Sequence, residues 1–127
     1  MFRFALVSLF VCAVSFADFS GTWKGKGRAW DTAGFQTVCS DMKVEIEEGE
    51  DVLTLKAVDW QCDDAGMSWA DLTFKGKPDA TYFKGVSDAW EMPLVFEGTL
   101  REDGSLLYHE EWQGKDSTFF VEGTLTR

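Results

Sequence analysis

The sequence predicts an all-β domain, specifically an eight-stranded antiparallel up-and-down β-barrel. Three observations predict it. No segment sustains a helical period of apolar residues; instead, short runs alternate apolar and polar side chains. Turn-forming residues punctuate these runs at regular intervals, as in sandwiches and barrels. The alternation also leaves one apolar face per strand, and eight such faces are enough to enclose a core.

Taken in order, strands are expected near 19–29, 35–47, 52–62, 67–75, 82–89, 94–101, 105–113 and 118–127. Asp31-Thr32-Ala33-Gly34 separates the first two, Glu48 to Asp51 the next pair, and Asp63 to Gly66 the third and fourth. Lys77-Pro78-Asp79, Trp90 to Pro93, Glu102-Asp103-Gly104 and Lys115-Asp116 supply the remaining turns. Pro93 opens a strand, where its missing N–H does least harm. Polarity sets the registers. Val44 and Ile46 face inward, as do Leu53, Leu55 and Ala57, and pairing Val44 with Ala57 and Ile46 with Leu55 places Cys39 opposite Cys62, both outward. A three-residue loop with Gly104 in the left-handed region sets Leu100 opposite Leu106, and Leu106 then faces Leu125. Tyr108 falls between Gly98 and Gly123, where its ring can cover bare backbone.

The first residues read as a secretory signal: Arg3 is the positive region, Phe4 to Val14 the apolar run, and Ser15-Phe16-Ala17 the cleavage site. Cleavage after Ala13, or lipidation at Cys12, are the alternatives. Residues 1–17 are thus expected to leave and 18–127 to form one barrel domain, exported to the periplasm or secreted. The apolar run is too short to span a bilayer, so no stable membrane insertion is expected. The chain carries a formal charge of −10, and loss of Arg3 makes it more acidic still. Such a surface repels phosphate backbones and argues against nucleic-acid binding. Outside the signal the cysteines are an even pair, so an oxidising compartment implies a Cys39–Cys62 disulfide.

Asp18-Phe19-Ser20-Gly21-Thr22-Trp23, with its Gly-x-Trp on the first strand of an eight-stranded meander, resembles the calycins: lipocalins, fatty-acid-binding proteins and avidins. In lipocalins the tryptophan plugs the closed end of the barrel and is packed by an arginine late in the chain; Trp23 and Arg127 match those roles. A second lipocalin motif is absent, as is the polar and tryptophan pattern of a biotin site. Gly21-Thr22-Trp23-Lys24-Gly25-Lys26-Gly27 also resembles the opening of nitrobindin-type haem barrels, which would make the single histidine, His109, an axial ligand. The register turns His109 outward with Glu111 and Gln113, which favours an exposed strand histidine. Size, fold and a single disulfide are similar to the periplasmic inhibitors of bacterial metalloproteases.

Neither a metal centre nor a cofactor is expected. One histidine cannot build a three-histidine site or a histidine-based triad beside a bridged cysteine pair, and the acidic run Glu45 to Asp51 fits no EF-hand spacing. The leading expectation is non-catalytic binding of a small amphipathic ligand inside the barrel, by Trp23, Asp59, Phe96, Tyr108, Glu110 and Trp112. Its mouth lies at the end bearing Trp112, Gln61 and Ser68, and the glycine row Gly21, Gly85, Gly98 and Gly123 provides room above an apolar plug. The alternative is a protein-binding or protease-inhibitor-like module acting through an outer face of Trp60, Met67 and Trp69. Acid–base catalysis by Asp59 and Glu110 is a third reading, and the chain is expected not to be an enzyme.

Overall fold

The computed structural model describes residues 19–49, 52–75, 80–87 and 93–127, and the side chains of all of these except 69–75. The signal segment 1–17, the turns at 77–79 and 90–92, and the side chains of Trp69, Leu72 and Phe74 lie outside the described residues. Eight strands follow one another: β1 Gly21–Asp31, β2 Gln36–Glu48, β3 Val52–Cys62, β4 Gly66–Lys75, β5 Tyr82–Ser87, β6 Leu94–Leu100, β7 Leu106–Gln113 and β8 Thr118–Thr126. All pair antiparallel in one sheet, in the order β4-β3-β2-β1-β8-β7-β6-β5.

The sheet is not the expected closed barrel. The sheet curls through 204° and does not close. Closure requires a ladder between β4 and β5, the two edges, but these come near one another without pairing. β5 has six residues against ten in β4, and it offers few backbone groups to a closing ladder.

β1 joins the two halves of the sheet. It pairs with β2 from Gly21 to Trp30, with Trp23 opposite Val44, and with β8 from Lys24 to Asp31, with Ala29 opposite Val121. A register shift between Gly25 and Gly27 interrupts the β1–β2 ladder. A Cβ at Gly27 would sit 1.9 Å from the Glu122 carbonyl oxygen, and one at Gly25 would sit 2.0 Å from that of Thr124, so the close approach of β1 to β8 needs bare backbone. Gly123 therefore pairs with Gly27 rather than with Gly21.

On β6, β7 and β8 the expected registers are found: Leu100 opposite Leu106, Gly98 opposite Tyr108, Tyr108 opposite Gly123, and Leu106 opposite Leu125. Gly104 has φ +87°, the left-handed conformation its loop needs, and its N–H donates to the Arg101 carbonyl at 3.0 Å. On two other ladders Leu55 meets Leu72 and Phe83 meets Gly98.

The largest correction lies between β2 and β3. Cys39 pairs with Cys62 and Ile46 with Leu55, as polarity requires. Between them, β2 carries one extra residue at Ser40 and β3 carries one at Lys56. The two bulges cancel, so both ends keep the regular register while the middle is shifted. Val44 meets Val58, not Ala57. From Ala57 onward β3 is turned over: Val58 and Trp60 are buried, while Asp59 and Gln61 face out. Ser40 likewise absorbs a reversal on β2, and Cys39 is buried with the core instead of facing outward. The Cys39–Cys62 disulfide itself is present.

The core fills the concave face. At one end Phe19 packs edge-on against Phe83, and the Trp23 indole donates from Nε1 to the Phe19 carbonyl at 2.8 Å. Arg127 closes that end: its guanidinium lies 4.3 Å from the Trp23 ring centroid and donates to the Ser20 carbonyl at 2.9 Å.

Candidate functional site

Tyr108, Glu110 and Trp112 occupy alternate positions on β7, so all three project to the concave face. Phe96 on β6 and Val121 on β8 flank Glu110 directly. Curling brings β3 over the same space, and Trp60 stacks on Phe119 of β8 with ring centroids 6.1 Å apart. The bulge at Lys56 turns Trp60 into this group.

The group centres on a wholly buried carboxyl. Glu110 has no solvent exposure; its Oε2 accepts a 2.5 Å hydrogen bond from Tyr108 Oη and its Oε1 accepts one at 3.1 Å from Trp112 Nε1. Trp60 is 2% exposed, and its Nε1 lies near enough to favour the ionised Glu110, yet it makes no hydrogen bond of normal geometry. It is a third donor with its capacity unspent. Among the described residues no lysine, arginine or histidine pairs with Glu110. Burial without a counter-ion raises its pKa to about 7, against the opposing pull of Tyr108, Trp112 and Trp60. Burial and the adjacent Glu110 also push the Tyr108 hydroxyl well above its ordinary value.

Of the expected ligand-binding residues, Trp23, Phe96, Tyr108, Glu110 and Trp112 are all on the concave face, with Trp23 forming the plug at the far end. Asp59 is not there. It lies on the outer face, where its Oδ1 accepts from Gln61 Nε2 at 3.0 Å and Ser68 Oγ at 2.9 Å. These three polar groups do meet, but outside the mouth they were expected to line, and the pairing of Asp59 with Glu110 as an acid–base couple is lost with them. The expected room above the plug is occupied as well. Phe83 fills the space a side chain at Gly98 would need, and Met42 fills that at Gly123.

The proposed outer interface is altered by the same bulge. Trp60 is buried, and Met67, opposite it on β4, is 39% exposed. The backbone of Trp69 pairs with that of Val58, whose side chain is buried. His109 does face outward, 3.4 Å from Glu122. Two shallow grooves of about 250 and 370 Å³ lie on that outer face and share Leu107 and Glu122. Neither contains a buried polar group that could fix a ligand.

Sequence reasoning missed Trp60 and Phe35 as members of the inner group. Phe35 stacks on Phe119 at 6.2 Å and is 36% exposed, so three rings run from the surface to the carboxyl. Phe119 was legible as inward-facing; only the bulge hid Trp60.

No protein-family model matches this chain, and no curated protein matches it in sequence.

Proposed function

We propose that this chain is an exported, non-catalytic binding protein that takes a small, partly apolar ligand on the concave face of its curled sheet. The observation that carries this reading is the buried Glu110, held by Tyr108 and Trp112 and approached by the unspent N–H of Trp60. A few convergent polar groups in an apolar, aromatic surround are what a small-molecule site requires. A merely structural carboxyl is costly here, since an apolar residue of similar volume would avoid its desolvation. The aromatic stack from Phe35 through Phe119 to Trp60 marks the mouth at the end bearing Trp112.

The packing of Arg127 on Trp23 supports kinship with the calycins, whose ligand sites lie inside the sheet. The Cys39–Cys62 disulfide and the signal-like first residues support export. The protein-binding alternative loses Trp60 from its outer face and keeps only Met67 among the described side chains.

Native mass spectrometry of protein purified from its source tests the proposal, with tryptophan fluorescence as the second readout. A carried molecule of a few hundred daltons, whose removal shifts the emission of the Trp60 and Trp112 indoles, is expected. Apo protein from every preparation, with no emission change across amphipathic ligands, would refute it.

A further inference from the structure

The carboxyl at the centre of the site also indicates what kind of ligand it suits. Glu110 is buried completely, and among the described residues it has neutral donors but no cation. An anionic ligand would meet it with like charge in a medium of low dielectric. A neutral ligand would leave the buried charge uncompensated. The neighbouring rings add a second requirement: the faces of tryptophan and phenylalanine attract cations lying within about 6 Å. Carboxylate and ring faces together form a receptor for an organic ammonium group.

Packing sets the orientation. One row deeper than Glu110, Phe83 covers Gly98 and Met42 covers Gly123, so no room is left there for an apolar tail. In the other direction lie Trp60, Phe119 and the partly exposed Phe35. A ligand must therefore put its polar head in first and lay its tail along the phenylalanines. Phe119 lies between the exposed Phe35 ring and the buried Trp60 ring, so a tail laid along this stack runs past it. The chain's formal charge of −10 also raises the local concentration of cations.

We propose that the ligand is a cationic amphiphile, an alkylammonium whose head seats against Glu110 between Trp60 and Trp112 and whose tail runs past Phe119 toward Phe35. This rests on the binding function proposed above and narrows it to one ligand class.

The test uses three probes of equal chain length, decyltrimethylammonium, decanol and decanoate. Each is titrated below its micellar concentration into the wild-type chain at pH 8 and about 0.15 M salt. Calorimetry and tryptophan emission report binding, and far-UV circular dichroism verifies the fold. The ammonium probe is expected to bind at least tenfold more tightly than decanol, with decanoate weakest. Its affinity should fall about tenfold between pH 8 and pH 6 as Glu110, with a pKa of about 7, takes up its proton. The probe itself does not titrate, so the fall reports the protein. Glu110→Gln should abolish the preference while leaving decanol binding in place, whereas binding to the acidic exterior would survive that substitution. Equal affinity for all three probes, or a preference for decanoate, overturns the ammonium inference and leaves the binding site standing. No binding of any probe overturns both. If Glu110→Gln does not fold, the wild-type selectivity and its pH dependence decide the matter alone.

Discussion

Replacing Glu110 by Gln gives the sharpest test of the site's electrostatics. Burial raises the pKa of Glu110 from 4.5 to about 7. The folded chain therefore holds a proton that the unfolded chain releases earlier. Its contribution to stability is fully present below pH 4.5, falls as pH rises through the interval, and is gone above pH 7. At 1.36 kcal/mol per unit, the ionised group costs the fold about 3 kcal/mol at pH 8 relative to pH 4. Solvent screening does not reduce this, because the carboxyl has no exposure. Glutamine keeps the shape: its carbonyl can accept from Trp112 Nε1 and its amide can donate to Tyr108 Oη, but it cannot ionise. Urea denaturation of both proteins from pH 4 to 8.5 measures the effect. The stability of Glu110→Gln relative to wild type should rise by about 3 kcal/mol across that range, with most of the change between pH 4.5 and 7. Carboxylates elsewhere titrate alike in both proteins and cancel in the difference. Parallel stability curves, within about 0.5 kcal/mol at every pH, would show that Glu110 is solvated or paired and would refute the reasoning.

Three further outcomes are expected. Tyr108→Ala should cost about 3–5 kcal/mol, against about 1 kcal/mol for Phe120→Ala on the outer face, since only Tyr108 is sealed in the core; equal denaturation midpoints would contradict the assigned faces. Replacing both Cys39 and Cys62 by Ala should cost about 3 kcal/mol through the freed unfolded chain, given a sequence separation of 23, and the wild-type chain without its first 17 residues should show no free thiol on labelling; unchanged stability, or labelled Cys39 and Cys62 in the wild type, would count against the bridge. Gly27→Ala should destabilise by about 1–3 kcal/mol, because its Cβ meets the Glu122 backbone, while Gly66→Ala should stay within about 0.5 kcal/mol, because its Cβ meets only the flexible Gln61 side chain. Thermal melts of the two variants compare them directly.

Much of this protein can be read locally. Alternation on β7 turns Tyr108, Glu110 and Trp112 to one face, and a short turn through Gly104 fixes their partners on β6, because a tight loop leaves no freedom of register. The opposition of Cys39 and Cys62 follows from the polarity of the strands around them. The turn-over of β3 is different. A bulge costs one residue of register wherever it falls, and the residue that carries this one, Lys56, has no composition that sets it apart. The compensating bulge at Ser40 then restores agreement at the cysteines, so the strand ends give no sign of what happens between them. That hidden segment decides whether Trp60 faces water or Glu110, and whether Asp59 belongs to the site. Closure was equally out of reach of local pattern. Eight alternating strands are compatible with a full barrel and with a sheet curled through 204°, and only the summed coil of all the ladders determines whether β4 reaches β5. The sequence alone thus determined the strands, their order and the chemistry carried on β7. The tertiary structure decided which residues of β3 face that chemistry, because register accumulates along the whole ladder while hydrophobic alternation reports only on the nearest neighbours.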